Sequence, residues 1–252
     1  MNPVYHVVRI EEQMYGCEEL PAGQPVLCDV LLRDAAGALR TLPYPDKELT
    51  RLAIEEGDRV RLTAEGTLQK AEPHRLYFTR HGETVWNVEN KICGMTDSPL
   101  TERGRAQARA LGEAVRASGA AIDEILYSPL SRAADTARAI ADATGIPARC
   151  EPRLREQCFG RYEGTPRDGA EFRISKTHFA DRYSGGESMM QLAQRIYNLL
   201  DELRADTDKT YLLVAHNGIA RVVESYFRDM TNEEYAMAGI RNCELVEYHF
   251  DE

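Results

Sequence analysis

Two histidines in this chain are set off by the residues around them: His81 in Arg80-His81-Gly82, and His216 in His216-Asn217-Gly218. A neutral imidazole offers a lone pair that can attack phosphorus, and a charged one can bind an anion. Arg80 adjoins the first histidine, and Arg132 ends the stretch Tyr127-Ser128-Pro129-Leu130-Ser131-Arg132. Guanidinium forks match phosphate oxygens and stay charged at any working pH. Two imidazoles and two guanidiniums gathered in one crevice would suit a phosphate group. Gly82 and Gly218 would let the backbone come close to that ligand.

These side chains meet only if the chain delivers them to one end of a sheet. From Leu76 onward the pattern is strand, loop, helix. Arg75 to Thr79 is a short apolar run that ends at Arg80-His81. Thr101 reads as the N-cap of a helix with Ala108, Leu111, Ala114 and Val115 on one face. Ile122 to Tyr127 reads as a strand, and Ser131 to Thr144 as a helix stopped by Gly145. After Glu187, Leu192, Ile196, Leu199 and Leu203 recur at helical spacing and mark core packing. Lys209 to Ala215 is a buried-looking strand ending at His216, and Glu244 to Phe250 alternates as a closing strand. Alternating strands and helices predict an α/β fold, three-layer α/β/α with a mostly parallel sheet. In such sheets ligands bind beyond the carboxyl ends of the strands. Both histidines are at such ends.

The first seventy residues read differently. Tyr5–Ile10, Val26–Leu32 and Arg59–Thr63 are short β-branched or aliphatic runs, with turn residues at Pro21-Ala22-Gly23, Ala36-Gly37 and Glu56-Gly57-Asp58. Asp46 to Ile54 reads as one helix, with Asp46 as its N-cap. Residues 1–73 are expected to form a small β-rich, barrel-like module, and 74–252 the larger domain, with the boundary between Gln69 and Arg75. The module carries eight basic and thirteen acidic residues, so it is no basic arm. The whole chain of 252 residues has net charge −10, which argues against a broad nucleic-acid or anionic-membrane footprint. No apolar run approaches a membrane span, and the first residues lack the layout of a signal peptide. Six scattered cysteines are too dilute for a disulfide scaffold, so reduced thiols in a cytoplasm are expected.

Five blocks now sharpen the reading. They are Arg80-His81-Gly82-Glu83-Thr84 with Trp86-Asn87, Gly94 and Asp97-Ser98-Pro99-Leu100-Thr101; Tyr127-Ser128-Pro129-Leu130-Ser131-Arg132 with Ala133 to Ala137; Leu154-Arg155-Glu156 through Gly164; Gly185-Gly186-Glu187-Ser188; and Val214-Ala215-His216-Asn217-Gly218. In this order they resemble the histidine phosphatase superfamily, in its phosphoglycerate-mutase-like branch. The resemblance implies a phosphoglycerate-mutase-like fold for residues 75–250. It implies that His81 is the nucleophile, becoming a phosphohistidine, and that Arg80, Arg132 and His216 bind the transferring phosphoryl group. Asn87 would add a neutral donor. Glu156 would protonate the leaving alcohol, which requires a proton on it near bound phosphate; Glu163 is a rival seven residues on. Asn217 departs from the family's usual glycine and would narrow the pocket or hydrogen-bond a substrate oxygen. Cys93, before Gly94, takes the place of a polar residue that touches substrate in relatives, with a plain buried thiol as the other reading. Tyr162 replaces a common tryptophan. The remaining cysteines read as core.

The same site serves phosphatases and mutases. Mutases resemble one another in a longer basic insert after the acid glutamate. Here about twenty residues separate Gly164 from Gly185, and they include Arg167, Arg173, Lys176, His178 and Arg182 beside Phe172, Phe179 and Tyr183. This segment reads as a lid offering positive charge and stacking surface, or as a solvated helix. The short chain length favours a compact phosphatase of a small phosphorylated metabolite, such as those acting on α-ribazole phosphate. Two alternatives stay open: a phosphoglycerate mutase, and an inactive member serving as a binding or scaffold protein. With arginines supplying the positive charge, no metal and no cofactor are expected. The expected partner is a small phosphorylated substrate, not nucleic acid or a membrane. Self-association into a homo-oligomer is left open.

Overall fold

The sequence of the larger domain is richest in apolar residues where its strands cross the centre, and the structure buries them on both sides. A computed structural model of the chain describes residues 4–13, 25–34, 36–71, 74–183 and 185–250. It divides into two units, Met1–Pro73 and His74–Glu252.

In the first unit β1 (Val4–Glu12), β2 (Leu27–Arg33), β3 (Leu39–Pro45), β4 (Arg59–Leu62) and β5 (Leu68–Lys70) form one sheet in the order β3-β2-β1-β4-β5. All pairs are antiparallel. Alternation shows why: Cys28, Val30 and Leu32 are buried and their neighbours less so, the period of a sheet with one covered face. Helix α1 (Asp46–Leu52) contributes Leu49 to that core. The edge strands β3 and β5 share no backbone ladder among the described residues, but Leu68 N donates to Tyr44 Oη at 3.1 Å. The sheet is thus curled until its two edges meet through one side chain. Asp46 is not the cap of α1. Pro45 holds that position, and Asp46 is the first helical residue, where its charge faces the helix N-terminus. The turn expected at Pro21–Gly23 and Cys17 lie outside the described residues.

In the second unit β6 (Arg75–Arg80), β7 (Glu124–Tyr127), β8 (Ala148–Cys150), β9 (Tyr211–Ala215) and β10 (Leu245–His249) form a sheet in the order β10-β6-β9-β7-β8. Four strands are parallel and β10 is antiparallel to β6. Successive residues face opposite ways, so each strand feeds two cores. Leu76, Phe78, Leu213 and Ala215 pack with α6 (Met189–Ala205) and α7 (Asn217–Phe227). Tyr77, Ile125, Leu212 and Val214 pack with α3 (Glu102–Ser118) and α4 (Ser131–Thr144). This is a three-layer α/β/α fold.

Local chemistry sets the helix ends. Thr101 Oγ1 accepts from Gly104 N at 2.9 Å, and α4 stops at Gly145 in the left-handed conformation. Ser188 and Gln191 form a reciprocal capping box on α6. On α3, Ala114 is exposed, and Gly104 and Gly112 complete the buried face instead. A Cβ at Gly112 would press on Ala139 O, so two small residues bring α3 and α4 close. Among the cysteines expected in the core, Cys28 is buried, Cys158 and Cys243 are half-buried, and Cys150 is exposed on the edge strand β8. No helix among the described residues is long and apolar enough to cross a membrane.

Candidate active site

Strands β6, β9 and β7 are neighbours, and each releases one polar residue at its carboxyl end: His81, His216 and Ser128. Backbone bonds fix the register, with His81 N donating to Ala215 O at 3.0 Å and Ser128 N to Val214 O at 3.1 Å. The two imidazoles end with ring centroids 5.1 Å apart.

The tautomer of His81 follows from its partner. Nδ1 lies 2.7 Å from Gly82 O, and a carbonyl only accepts, so Nδ1 carries the proton. Nε2 is left with the lone pair. Burial, with Arg132 and Arg80 nearby, pushes the His81 pKa well below that of an ordinary imidazole, so the ring is neutral. His216 is fully buried, with Nε2 2.7 Å from Ser128 Oγ. Its pKa is also pushed well down, by burial first and then by Arg132, His81 and Arg80. Without an anion His216 is therefore neutral.

A cavity of about 130 Å³ opens beside His81, with Arg80, Asn87, Cys93, Glu156 and Asn217 among its lining. Arg80 donates from Nη1 to Ile240 O at 3.1 Å, and burial lowers its pKa to about 10, so it stays charged. Arg132 and His216 sit behind the lining. Arg132, 1% exposed, spends its terminal nitrogens on Gly94 O at 2.8 Å and Thr96 O at 3.1 Å. Its Nη1 also donates to Asp97 Oδ1 at 3.4 Å. Even so, Arg80 Nε, Arg132 Nε and His216 Nδ1 are buried with no hydrogen-bond partner. The two guanidinium Nε–H groups are unmet buried donors and call for an acceptor.

Glu156 and Glu163 part company here. Glu156 lines the cavity, with Oε1 accepting from Gln157 N at 2.9 Å and Oε2 from Gly218 N at 3.0 Å. Glu163 instead accepts from Met95 N, Thr96 N, Phe159 N and the Thr96 hydroxyl, and it organises the loops behind Arg132. The glycines serve protein groups more than a ligand. A Cβ at Gly218 would overlap the Glu156 carboxylate, and one at Gly82 would overlap Gly104 O. Gly94 is not in the lining; its carbonyl holds Arg132, and a side chain there would strike Gln157 O. Cys93 donates to Thr96 O at 3.3 Å, and burial raises its thiol pKa. Asn217 turns its Oδ1 to Ile240 N at 3.0 Å, which ties α7 to the loop before β10. Asn87 closes the capping box of α2 (Val85–Val88) with Thr84.

Of the segment after Gly164, Arg167, Phe172 and Lys176 line the cavity, while Arg173, His178 and Arg182 are exposed. Phe172 lies on α5 (Ala170–Ser175) in a ring cluster with Phe159, Tyr162 and Tyr183, so Tyr162 packs against this wall. Three residues went unrecognised in the sequence. Arg221 lines the cavity one turn after Asn217, a spacing that could have flagged it. Asn242 donates from Nδ2 to His81 O at 2.8 Å. Arg195 clasps Glu187 by two nitrogens at 2.8 and 2.9 Å and reaches the carbonyls of Arg153 and Glu156. The Glu187 block thus positions the Glu156 loop. Among the described residues no group of three His, Cys, Asp or Glu side chains could hold a metal ion.

Comparison with known proteins follows this division of the chain. Residues 76–252 match the model of the histidine phosphatase superfamily, branch 1. A probable phosphoglycerate mutase of Yersinia pestis (strain Pestoides F) is 34% identical over 186 residues, 71% of this chain and 86% of that protein. A solved mycobacterial glucosyl-3-phosphoglycerate phosphatase in complex with VO3 is similar at TM-score 0.61 and 30% identity, covering 69% of this chain and 90% of that one. An alpha-ribazole-5'-P phosphatase structure from Escherichia coli, itself described as putative, matches at TM-score 0.61 and 25% identity, over 70% and 90% of the two chains. With residues 76–252 matching the family model and His81, His216 and Ser128 at the ends of three adjacent strands, the chain belongs to the histidine phosphatase superfamily.

Proposed function

We propose that this chain is a metal-independent phosphomonoesterase of a small phosphorylated metabolite. The observation that carries this is the His81 tautomer: Nδ1–H is fixed on Gly82 O, and the Nε2 lone pair is free beside Arg80 in the cavity. In the first step Nε2 bonds to phosphorus as the bond from phosphorus to the leaving oxygen breaks, and Glu156 gives that oxygen its proton. Water then attacks the phosphohistidine, passes a proton back to Glu156, and frees inorganic phosphate and neutral His81. Arg80, Arg132 and His216 offset charge on the equatorial oxygens, work otherwise done by a metal. Arriving phosphate draws Arg132 from its carbonyls and favours a proton on His216.

Phosphatase is favoured over mutase because the segment between Gly164 and Gly185 is short. A mutase must shield its phosphoenzyme from water. Acid-labile, base-stable phosphate trapped on the protein after mixing with a phosphomonoester is the expected result. His81→Ala should lose that label and at least about 10⁴-fold in kcat. Phosphate release that survives the substitution would remove His81 from its role. With glycerate 3-phosphate and its bisphosphate, interconversion faster than hydrolysis would establish the mutase. A protein that is never labelled would be the scaffold. Full activity is expected in chelator, and activity restored only by added metal would overturn metal independence.

A further inference from the structure

The cavity holds more positive charge than one phosphoryl group needs. Its lining carries four cations, Arg80, Arg167, Lys176 and Arg221, against the single carboxylate of Glu156. With a phosphoryl dianion bound and a proton on Glu156, four positive charges face two negative ones. Three of the four are oriented without any carboxylate. Arg167 donates from Nε to Lys91 O at 2.8 Å, and Arg221 from Nε to Ala238 O at 2.7 Å. Lys176 Nζ lies 4.8 Å from the ring centroid of Phe172.

Several other cations among the described residues have carboxylate partners. Arg195 has Glu187, Arg153 has Glu151 and Glu202, and Arg149 has Glu124. Around the cavity the cations repel one another instead: Arg167 and Arg221 both oppose the charge on Lys176, and the same two oppose Arg80. All four line the same cavity as His81. Part-buried cations without a counter-charge are costly unless a ligand supplies one.

We propose that the substrate carries a second anionic group, a carboxylate or another phosphate, a few bonds from the transferred phosphoryl and held by Arg167, Lys176 and Arg221. This rests on the phosphomonoesterase reading above and narrows it: esters with a neutral leaving group would be poor substrates. Phe172 holds Lys176 in place; Arg167 and Lys176 flank α5, and Arg221 stands on α7.

A matched three-carbon series tests it. Glycerol 3-phosphate offers a neutral leaving group, glycerate 3-phosphate a carboxylate, and propane-1,3-diol bisphosphate a second phosphate. Wild type should favour one of the last two over the first by about 10–100-fold in kcat/KM, the worth of one or two charge-assisted hydrogen bonds. Whichever wins identifies the anion. In Arg167→Gln and Lys176→Gln that preference ratio should shrink by about tenfold. Both side chains are part-exposed, and the wild-type ratio stands even if a variant fails to fold. Hydrolysis of para-nitrophenyl phosphate with no preference in the series, or with none of the three cleaved, overturns the second anion alone. No phosphohistidine and no hydrolysis of any ester overturns the phosphomonoesterase reading itself.

Discussion

Arg132, behind the cavity, and Lys176, on its open wall, are both cations beside the same ligand space, yet they are held by opposite means. Arg132 is almost fully buried, and backbone carbonyls of a loop organised by Glu163 fix its terminal nitrogens. Lys176 is half-buried on a short segment and rests on one aromatic ring. The deep wall is built from strand ends and backbone hydrogen bonds, which leave little freedom. The outer wall is built from side chains on α5 and its flanks, where replacement costs the fold little. On the proposed function, the difference separates what the chemistry requires from what can select the substrate.

Substitutions should break this contrast in a graded way. Arg132→Ala strands the carbonyls of Gly94 and Thr96 and removes charge beside His81; a fall in kcat/KM of order 10³-fold is expected in steady-state assays. Arg132→Lys should recover little, because one ammonium cannot span both carbonyls. The two glutamates sharpen the comparison further. Glu156→Gln should lower kcat by about 10²-fold or more, seen with substrates whose leaving group needs a proton. Glu163→Gln should act on the fold instead, removing about 1–2 kcal/mol and lowering the Tm of the larger domain by roughly 3–6 °C in a thermal melt. If Glu163→Gln matched Glu156→Gln in kcat with no change in Tm, the division of roles would be wrong.

The smallest effect is a pH dependence on the outer wall. Burial, then Arg221 and Arg167, hold the Lys176 pKa down to about 8, with Glu156 pulling the other way. The free protein keeps this charge below about pH 8 and loses it as pH rises through that value. A bound anion retains the proton, so the loss belongs in kcat/KM and not in kcat. For a doubly anionic ester, kcat/KM should decline by up to about tenfold between pH 7 and 9 relative to its neutral counterpart. A ratio flat across that range would detach Lys176 from binding.

What the sequence revealed was chiefly what is local. Thr101 and Gly145 announce helix ends because caps act within a few residues, and the strand-end histidines fall where a parallel sheet places its ligands. Asp46 misled because Pro45, with its fixed φ, takes the cap position itself. Ala114 misled because Gly112 lets α4 approach, and Gly104 lets the Glu83 backbone approach, on a face shifted by part of a turn. Asn242 gave no signal at all: it reaches His81 across 161 positions, and only the pairing of β10 with β6 brings the two together. The Leu-x-Glu spacing favours Glu156 over Glu163, but what separates their roles in the fold is which backbone amides each one meets, and that the spacing does not show.

The edge strand β10 carries one more consequence. It runs beside β6 from Leu245 opposite Thr79 to His249 opposite Arg75, and Phe250 N donates to His74 O at 2.9 Å. The first and last described residues of this domain are therefore neighbours, and its polypeptide is close to a closed ring. A short linker from Phe250 to His74 would join them, and new ends could be opened at the surface turn near Asp208, which lies between the Glu187 and His216 blocks. The order in which the catalytic segments are synthesised is then a removable accident of the chain, while the clamp of β10 on the strand that bears His81 is not.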